Sequence, residues 1–328
     1  MDEGIFKKVL AEINKQSINI DWRGVNDLYH RVNNDSSADA QKIKYYLDKL
    51  NENREQKGEI TAHTSDLRSI TGRITTYDFN LQNLPKRIKY ANELRNCIII
   101  DDLGHQWIKF DFSQMEFRML AHYAMGPGSD ELREKYKYDL KTDYHELVSE
   151  IAGCTREEAK TINFALMYGA GKNALNELGY DEVLYNKYHE SLPFVKYTFD
   201  KAMSVAKTRG YIKTLGGRRI NVGNDDSYKA LNYVIQGSCV DYFKEVMIQS
   251  EIRGLFKYIG YPKFIVHDEY NFSTSYLYNK KYLMEFKDIM ERDVANKYYL
   301  KVPMLANMEV KACSYGETDA KEIFDEIV

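Results

Sequence analysis

Residues 107–116 read Trp-Ile-Lys-Phe-Asp-Phe-Ser-Gln-Met-Glu, a mostly apolar stretch in which Asp111 opens a cluster of polar residues. The four residues before Asp111 have the composition of a β-strand. Beyond it, Met115, Met119 and His122 recur at helical spacing. The pattern therefore predicts that Asp111 lies at a strand-to-helix junction.

A second carboxylate, Asp268, stands in a comparable setting. Residues 266–269 read Val-His-Asp-Glu, and the apolar runs 264–266 and 270–272 predict the two arms of a hairpin. Two strand ends that each carry an aspartate predict a magnesium site, because Mg²⁺ prefers carboxylate oxygens. Metal ions there would activate a hydroxyl and stabilise a leaving pyrophosphate, which is nucleotidyl transfer. The alternative interpretation is two solvated aspartates in turns.

Composition limits the class of protein. The chain has 328 residues, of which 29% are charged and 44% hydrophobic, and this is typical of soluble globular proteins. No run approaches the roughly 18 apolar residues of a membrane span, and the N-terminus lacks the basic segment of a signal peptide. We therefore expect no membrane partner and a cytoplasmic location, in a bacterial or phage-infected cell. The four widely spaced cysteines predict reduced thiols, not a zinc or redox motif.

The charge distribution bears on nucleic-acid binding. A net charge of −3 argues against a nucleic-acid partner, because such domains are often strongly basic. Residues 201–219, however, carry six basic side chains and no acidic one, whereas residues 317–326 are strongly acidic. The basic run fits a solvated face and a DNA contact equally well.

Helical patterns occupy two parts of the chain. Residues 4–16 and 38–56 have amphipathic spacing and predict a small helical N-terminal region, with Ser37 or Asp39 starting the second helix. Residues 156–169 predict a further helix that ends at a glycine. Together with the two strand regions, these helices predict an α+β fold.

Every fourth residue of the helix at 156–169 belongs to one row on its surface. The row offers two cations for a triphosphate and then two rings on which a base or sugar can stack. On spacing alone, an ordinary amphipathic helix with aromatic residues in the core is the preferred interpretation. The row consists of Arg156, Lys160, Phe164 and Tyr168.

Taken together, these motifs resemble the polymerase domain of family A DNA polymerases, the bacterial polymerase I and phage replicase group. The resemblance covers residues 61–313, and its blocks occur in the family's order with near-family spacing. The blocks are Thr-Gly-Arg at 71–73 with Asn-Leu-Gln-Asn-Leu-Pro at 80–85, motif A at 111–118, motif B at 160–169, a block ending in Gln-Gly at 232–237, and motif C at 266–269.

The resemblance implies an α+β right-hand polymerase with an antiparallel palm sheet, helical fingers and a reduced helical thumb. It divides the chain into a thumb at 1–58, a first part of the palm at 59–112, fingers at 113–232 and a second part of the palm at 233–328. The implied activity is template-directed addition of dNTPs to the 3′ end of a DNA primer, without a proofreading exonuclease domain. Primer–template DNA and dNTPs are the implied partners, with a processivity factor, primase or helicase as accessories.

The resemblance also implies roles for individual residues. The catalytic residues are Asp111, Asp268 and Lys160, and two Mg²⁺ ions, with Mn²⁺ as a substitute, are held by Asp111, Asp268 and the main-chain carbonyl of Phe112. The residues that bind the incoming nucleotide are Gln114, Glu116, His145, Arg156, Lys160 and Phe164. Those that contact DNA are Arg73, Asn80, Gln82, Asn83, Tyr168, Asn232, Gln236 and His267.

Some of these roles are specific. Glu116 crowds the sugar C2′ position and so disfavours ribonucleotides, and Phe164 is associated with discrimination against dideoxynucleotides. Arg73 and Gln236 test base-pair geometry in the minor groove, where every correct pair presents acceptors. Each residue also has an alternative interpretation as a purely structural residue. His145 would be a structural histidine and Glu116 a surface glutamate, and Arg73 and Gln236 would bridge backbone carbonyls.

The sequence departs from the family in several places. Phe112 replaces the usual Tyr, Ala165 replaces the usual Gly, and the segment before Gln236 is short, which puts fidelity and movement of the fingers helix in doubt. Few residues precede Arg73, so we expect weak processivity. The low charge implies DNA binding that falls steeply with salt, because phosphate contacts release counterions. Two rival functions are a single-subunit RNA polymerase and a catalytically silent DNA-binding subunit.

Overall fold

The computed structural model describes residues 1–317. The acidic segment at 317–326 lies outside the described residues except for Glu317, as does the end of the second palm segment. The described chain divides into two compact units. The first contains residues 1–112, 244–290 and those from 306 onward, and the second contains residues 113–243 and 291–305.

Helices and strands alternate irregularly along the chain, as in an α+β fold. The α-helices are α1 Glu3–Ile13, α2 Trp22–Asn33, α3 Ala38–Glu52, α4 Ala91–Asn96, α5 Met115–Tyr123, α6 Ser129–Tyr138, α7 Tyr144–Ala152, α8 Arg156–Met167, α9 Lys172–Glu177, α10 Glu182–Ser191, α11 Pro193–Arg209, α12 Ala230–Ile252, α13 Phe256–Ile259, α14 Tyr276–Asp288 and α15 Val294–Lys297. The strands are β1 Ser17–Ile20, β2 Glu59–Ser65, β3 Thr75–Asp78, β4 Ile98–Ile99, β5 Gln106–Phe112, β6 Tyr211–Lys213, β7 Arg219–Asn221, β8 Phe264–Val266, β9 Glu269–Thr274 and β10 Ala306–Lys311. Short 3₁₀ segments lie at Leu81–Asn83 and Asn224–Lys229, and a π-helical turn at Ile289–Asp293.

The first unit contains two antiparallel sheets. One has the strand order β10-β5-β9-β8 and the other β3-β2-β1-β4. On one face of the β10-β5-β9-β8 sheet, Phe110 and Phe272 pack against Phe286 of α14, with ring centroids 4.9 and 5.2 Å from the Phe286 ring. Aromatic pairs of this kind add about 1 kcal/mol each to the stabilisation from burial. This face is therefore a fixed core, and the two charged residues of β5, Lys109 and Asp111, lie on the opposite face.

The N-terminal region contains one helix and one strand more than its sequence predicts. The two predicted helices occur as α1 and α3, and the Ser37 hydroxyl caps α3 by accepting from the Ala40 N–H at 3.2 Å. Between them lie α2 and the strand β1, which pairs with both β2 and β4. The sequence analysis missed both elements, because β1 is only four residues long and its pairing partners are far away in the sequence.

The second unit is mainly helical, with one hairpin formed by β6 and β7. Helix α8 begins where predicted because Thr155 and Glu158 form a capping box, in which each side chain accepts from the other's backbone N–H. The chain leaves the helix at Gly169, whose φ is +84°. A Cβ at this position would overlap the Phe199 ring, so the turn requires glycine.

Within the described residues, the helices are too short or too polar to span a bilayer.

Candidate active site

The sheet register brings the two predicted metal ligands to neighbouring positions in the first unit. Asp111 on β5 is paired with Glu269 on β9, and Val266 on β8 is paired with the same Glu269. Asp268 is thus the second residue of the two-residue turn between β8 and β9, next to Glu269. His267, the first turn residue, has a φ of 56°, which is typical of tight hairpin turns. The predicted hairpin is confirmed.

The surroundings of Asp111 favour a bound cation. Burial raises the pKa of Asp111 to about 6, and the carboxylates of Glu269 and Glu309 raise it further, while Lys109 and Lys86 oppose the shift. A half-buried carboxylate beside other carboxylates is stabilised by a nearby positive charge. Within residues 1–317, no three His, Cys, Asp or Glu side chains are grouped so as to hold a metal ion. The binding of a cation by Asp111 and Asp268 stays a prediction.

A polar network lies on the same face of the sheet. Lys109, two residues before Asp111, contacts Glu309 at 2.7 Å and Glu269 at 3.5 Å. The Glu269 carboxylate also accepts from Asn271 at 2.8 Å and from the Tyr315 hydroxyl at 3.1 Å. Glu269 is 3% exposed, so this buried charge is held by several partners at once. The network fixes the strand position opposite Asp111.

The network was not assigned by the sequence analysis, although one signal was available. Side chains two residues apart on a strand lie on the same face, so Lys109 had to share a face with Asp111. The contact with Glu309 needs the pairing of β5 with β10, which joins residues 109 and 309. No local pattern reports that pairing.

In the second unit, the predicted row on α8 lies along the partly exposed side of the helix. Lys160 is exposed and Phe164 and Tyr168 are half-buried, whereas Ala159, Ile162, Leu166 and Met167 form the buried side. An exposed Lys160 fits both interpretations of the row, whereas the two rings are not fully in the core and remain partly accessible.

Arg156, the first residue of the row, is tied to the start of α7. Its Nε donates to Asp143 Oδ2 at 2.7 Å, and Asp143 Oδ1 caps α7 by accepting from the His145 N–H at 2.8 Å. The carboxylate thus joins the N-terminal ends of α7 and α8. The anion stabilises the N-terminal end of α7 directly, and it holds α8 through the Arg156 side chain.

His145 is buried in the first turn of α7, with 4% of its surface exposed. Its Nδ1 lies 2.9 Å from the amide nitrogen of Asn163, and the Phe117 ring stands edge-on to it at 4.6 Å. Burial lowers the pKa of His145 to about 4, with Asp143 opposing the shift and Arg156 and Lys160 adding to it. The ring is therefore neutral at pH 7. It differs in this from Arg156 and Lys160, the two cations that the resemblance assigns to the same nucleotide.

Glu116 and Tyr168 form a pair. The Tyr168 hydroxyl donates to Glu116 Oε2 at 2.6 Å. Burial raises the pKa of Tyr168, and the Glu116 charge raises it further, while a hydrogen bond with the Gln236 side chain opposes the shift. The phenol thus stays protonated and acts as the donor. The carboxylate of Glu116 is held in place by a ring from α8, a contact that the sequence did not predict.

Motif A is anchored inside the second unit by two long side chains. Gln114 accepts from the Tyr144 N–H at 3.1 Å and donates to the Thr142 carbonyl at 3.3 Å. Arg118 is fully buried and donates to the carbonyls of Ser113, Pro303 and Leu140. The Gln114 amide is thus engaged within the protein, and its predicted contact with a nucleotide stays a prediction.

The predicted DNA-contacting residues fall into two groups. Some brace the backbone: Gln82 donates to the carbonyls of Ile74 and Ile265, at 2.9 and 3.4 Å, and Asn80 accepts from the Gln82 N–H at 3.1 Å. The others have exposed or half-buried positions: Arg73, Asn83 and His267 are exposed, and Tyr168, Asn232 and Gln236 are half-buried. DNA contact by any of them stays a prediction.

Residues 31–316 match the sequence model of DNA polymerase family A. The chain belongs to this family. It is 30% identical over 280 residues to a DNA-directed DNA polymerase of Pseudomonas phage M6, covering 69% of this chain and 41% of the phage protein. It is 28% identical over 271 residues to the thermostable DNA polymerase I of Thermus filiformis, covering 75% of this chain and 31% of that protein. The chain thus spans well under half the length of these relatives.

The family A fold is also seen in a solved structure, the POL domain of Pol1 from M. smegmatis, which was determined in complex with a DNA primer-template and dNTP. The match has a TM-score of 0.82 and 20% identity, and it covers 96% of this chain and 70% of the other. It confirms the predicted α+β fold with antiparallel sheets. The boundaries of thumb, palm and fingers stay a prediction.

Proposed function

We propose that this family A chain is a template-directed DNA polymerase that adds dNTPs to the 3′ end of a primer. The observation that carries the proposal is the sheet register, which pairs Asp111 with Glu269 and puts Asp268 in the adjoining turn. A strand end and a tight turn hold two carboxylates at neighbouring positions in the first unit. This arrangement suits the binding of divalent metal ions.

The proposed metal ligands are Asp111, Asp268 and the main-chain carbonyl of Phe112, with Mg²⁺ as the ion and Mn²⁺ as a substitute. Two bound ions would lower the pKa of the primer 3′-hydroxyl and neutralise charge on the pyrophosphate. The network of Lys109, Glu269 and Glu309 keeps the strand position beside Asp111 fixed. The role of this network is to hold Asp111, the proposed metal ligand, in place before any ion or substrate binds.

We further propose that the row on α8 binds the incoming nucleotide. Lys160 and Arg156 supply positive charge to the triphosphate, and that charge is most valuable where negative charge develops in the transition state. Phe164 gives the sugar or base a ring to pack on. Glu116, held by Tyr168, occupies the space beside the sugar. All of these residues belong to the second unit.

Primer–template DNA is the proposed macromolecular partner, with Arg73, Asn83, Asn232, Gln236 and His267 as contacting residues. Asn80 and Gln82 act indirectly by bracing the backbone near Arg73. A thumb at residues 1–58, a cytoplasmic location and accessory replication proteins belong to the same proposal.

Primer extension with dNTPs and rNTPs on nicked and gapped DNA tests this function. We expect incorporation of dNTPs that depends on the template base and on Mg²⁺. Efficient extension with rNTPs and not with dNTPs would identify a single-subunit RNA polymerase. DNA binding without any incorporation would identify a silent subunit and would overturn the proposal.

Phe164 offers a test of the proposed nucleotide pocket. We expect the natural enzyme to use dideoxynucleotides poorly and Phe164→Tyr to use them at least about tenfold better, because the added hydroxyl supplies one hydrogen-bond partner where the sugar lacks its own. The measurement is the ratio of kcat/KM for ddNTP and dNTP. Tyr228→Phe, which removes a hydroxyl from an exposed ring of the second unit, is the control and should leave the ratio unchanged. Equal ratios in Phe164→Tyr and the natural enzyme would remove Phe164 from the pocket.

A further inference from the structure

Asn163 is the residue before Phe164 on α8, and it is completely buried. Its Nδ2 lies 2.9 Å from Nδ1 of His145 on α7. Its Oδ1, although buried, has no hydrogen-bond partner within residues 1–317. Asn163 is thus shut off from solvent on the helix that carries the nucleotide row, and it contacts His145, a residue proposed to bind the nucleotide. A buried asparagine of this kind needs a physical explanation.

The geometry of the contact determines where the histidine proton lies. The structure places Nδ2 of Asn163 opposite Nδ1 of His145, and because an amide nitrogen only donates, this orientation of the amide makes Nδ1 the acceptor. A neutral imidazole with an accepting Nδ1 carries its hydrogen on Nε2. The backbone N–H of His145 is bonded to Asp143, and the Phe117 ring packs against the imidazole. The ring is thus fixed both in orientation and in tautomer.

We propose that Asn163 is a positioning residue that holds His145 as the neutral tautomer with its proton on Nε2, so that His145 meets the incoming nucleotide as a hydrogen-bond donor and not as a cation. The identity of the ligand rests on the proposed function. The tautomer does not, because it follows from the contact between α7 and α8 alone.

The charges around His145 explain why a neutral donor suits this position. Asp143 lies at the start of α7, and Arg156, Glu157 and Lys160 on α8 are close enough for their charges to act on the imidazole. Two cations already serve the triphosphate, and a third positive charge beside them would be repelled before any nucleotide bound. An Nε2–H donor adds a bond to a phosphate oxygen without that repulsion. The low pKa of about 4 keeps the ring neutral throughout the physiological range.

The first test needs neither substrate nor substitution. In the intact protein with ¹⁵N-labelled histidine, long-range ¹H–¹⁵N spectra at pH 7 distinguish a protonated ring nitrogen from an unprotonated one. His145→Gln assigns the His145 signals by their disappearance. We expect a protonated Nε2 and an unprotonated Nδ1. A protonated Nδ1, with or without a proton on Nε2, would overturn the proposal.

The second test asks whether Asn163 acts through His145. Asn163→Leu keeps the volume and removes the donor, and we expect the KM for dNTP to rise about tenfold with a smaller change in kcat. His145→Gln replaces the imidazole with an amide that can donate but has no tautomers. In this background Asn163→Leu should raise the KM for dNTP by less than about twofold. An equal rise in both backgrounds would show a merely structural role.

The outcomes separate this inference from the proposed function. If the natural protein extends no primer, the polymerase assignment fails, but the spectrum still reports the tautomer. If extension occurs and the proton lies on Nδ1, the polymerase assignment stands and the role of Asn163 fails. Thermal unfolding of each variant identifies any loss of KM or kcat that comes from a loss of fold.

Discussion

Asp111→Asn and Asp268→Asn should each reduce primer extension by about 1,000-fold or more, because a metal ion that stabilises transition-state charge contributes several kcal/mol. Asparagine keeps the size of the side chain and removes the anionic oxygen. We expect binding of primer–template DNA to change by less than about twofold, since phosphate contacts come from basic residues elsewhere. The measurements are single-turnover extension and a DNA-binding titration at fixed salt.

The fold should survive the change at position 111. The raised pKa of Asp111, about 6, means that its ionised form is less stable in the folded chain than in the unfolded chain. A carboxyl with a raised pKa therefore lowers stability progressively as the pH rises from about 3.8 to about 6, and the full loss is present above pH 6. Asn carries no such charge, so the melting temperature of Asp111→Asn at pH 7.5 should not fall. Loss of activity with an unchanged melting temperature would then be a loss of chemistry.

Asp102→Asn is a matched control for both variants. Asp102 is an exposed aspartate in the turn before β5, nine residues ahead of Asp111 in the sequence. Its replacement should leave extension unchanged. Near-normal extension by Asp111→Asn or Asp268→Asn would refute the metal-site assignment. An equal loss of extension in Asp102→Asn would show that the change in net charge is the cause.

The parts of the fold that the sequence predicted well are those with local signals. Helix α8 has a capping box at one end and a required glycine just past the other, and both signals lie within its own segment. The hairpin around Asp268 has two apolar arms joined by a two-residue turn. Strand β1 has no such signal, because its partners β2 and β4 are about 40 and 80 residues away. Its stability comes from long-range pairing, which periodicity does not report.

The candidate site likewise has a part that local sequence signals predict and a part that depends on long-range packing. Residue types at motif positions predicted Asp111, Asp268 and the row on α8 as site residues, and their roles stay predictions. The contacts that hold the site could not be predicted, because each joins residues from different elements. Tyr168 to Glu116 and Asn163 to His145 both link α8 to another helix. A motif gives the identity of a side chain, whereas its hydrogen-bond partner depends on packing.

Glu116→Ala should raise the use of ribonucleotides relative to deoxynucleotides by about 100-fold. The carboxylate of Glu116 is held by the Tyr168 hydroxyl at 2.6 Å and cannot swing aside without breaking a charge-assisted hydrogen bond. A ribose 2′-hydroxyl beside it would clash or lose its hydrogen bonds, at about 2–3 kcal/mol, which is roughly 100-fold in selectivity. The measurement is the ratio of kcat/KM for dNTP and rNTP opposite the same template base.

Tyr168→Phe distinguishes two effects of Glu116: the space that its side chain fills and the hydrogen bond from Tyr168 that fixes its carboxylate. Without the hydroxyl the carboxylate is still present but is free to move, so the selectivity should fall to a value between those of the natural enzyme and Glu116→Ala. Glu150→Ala, which removes an exposed glutamate of α7, is the control for charge and should change nothing. Unchanged selectivity in Glu116→Ala would refute the role of Glu116. A loss in Tyr168→Phe as large as in Glu116→Ala would show that the position of the carboxylate, and not its mere presence, excludes the ribose.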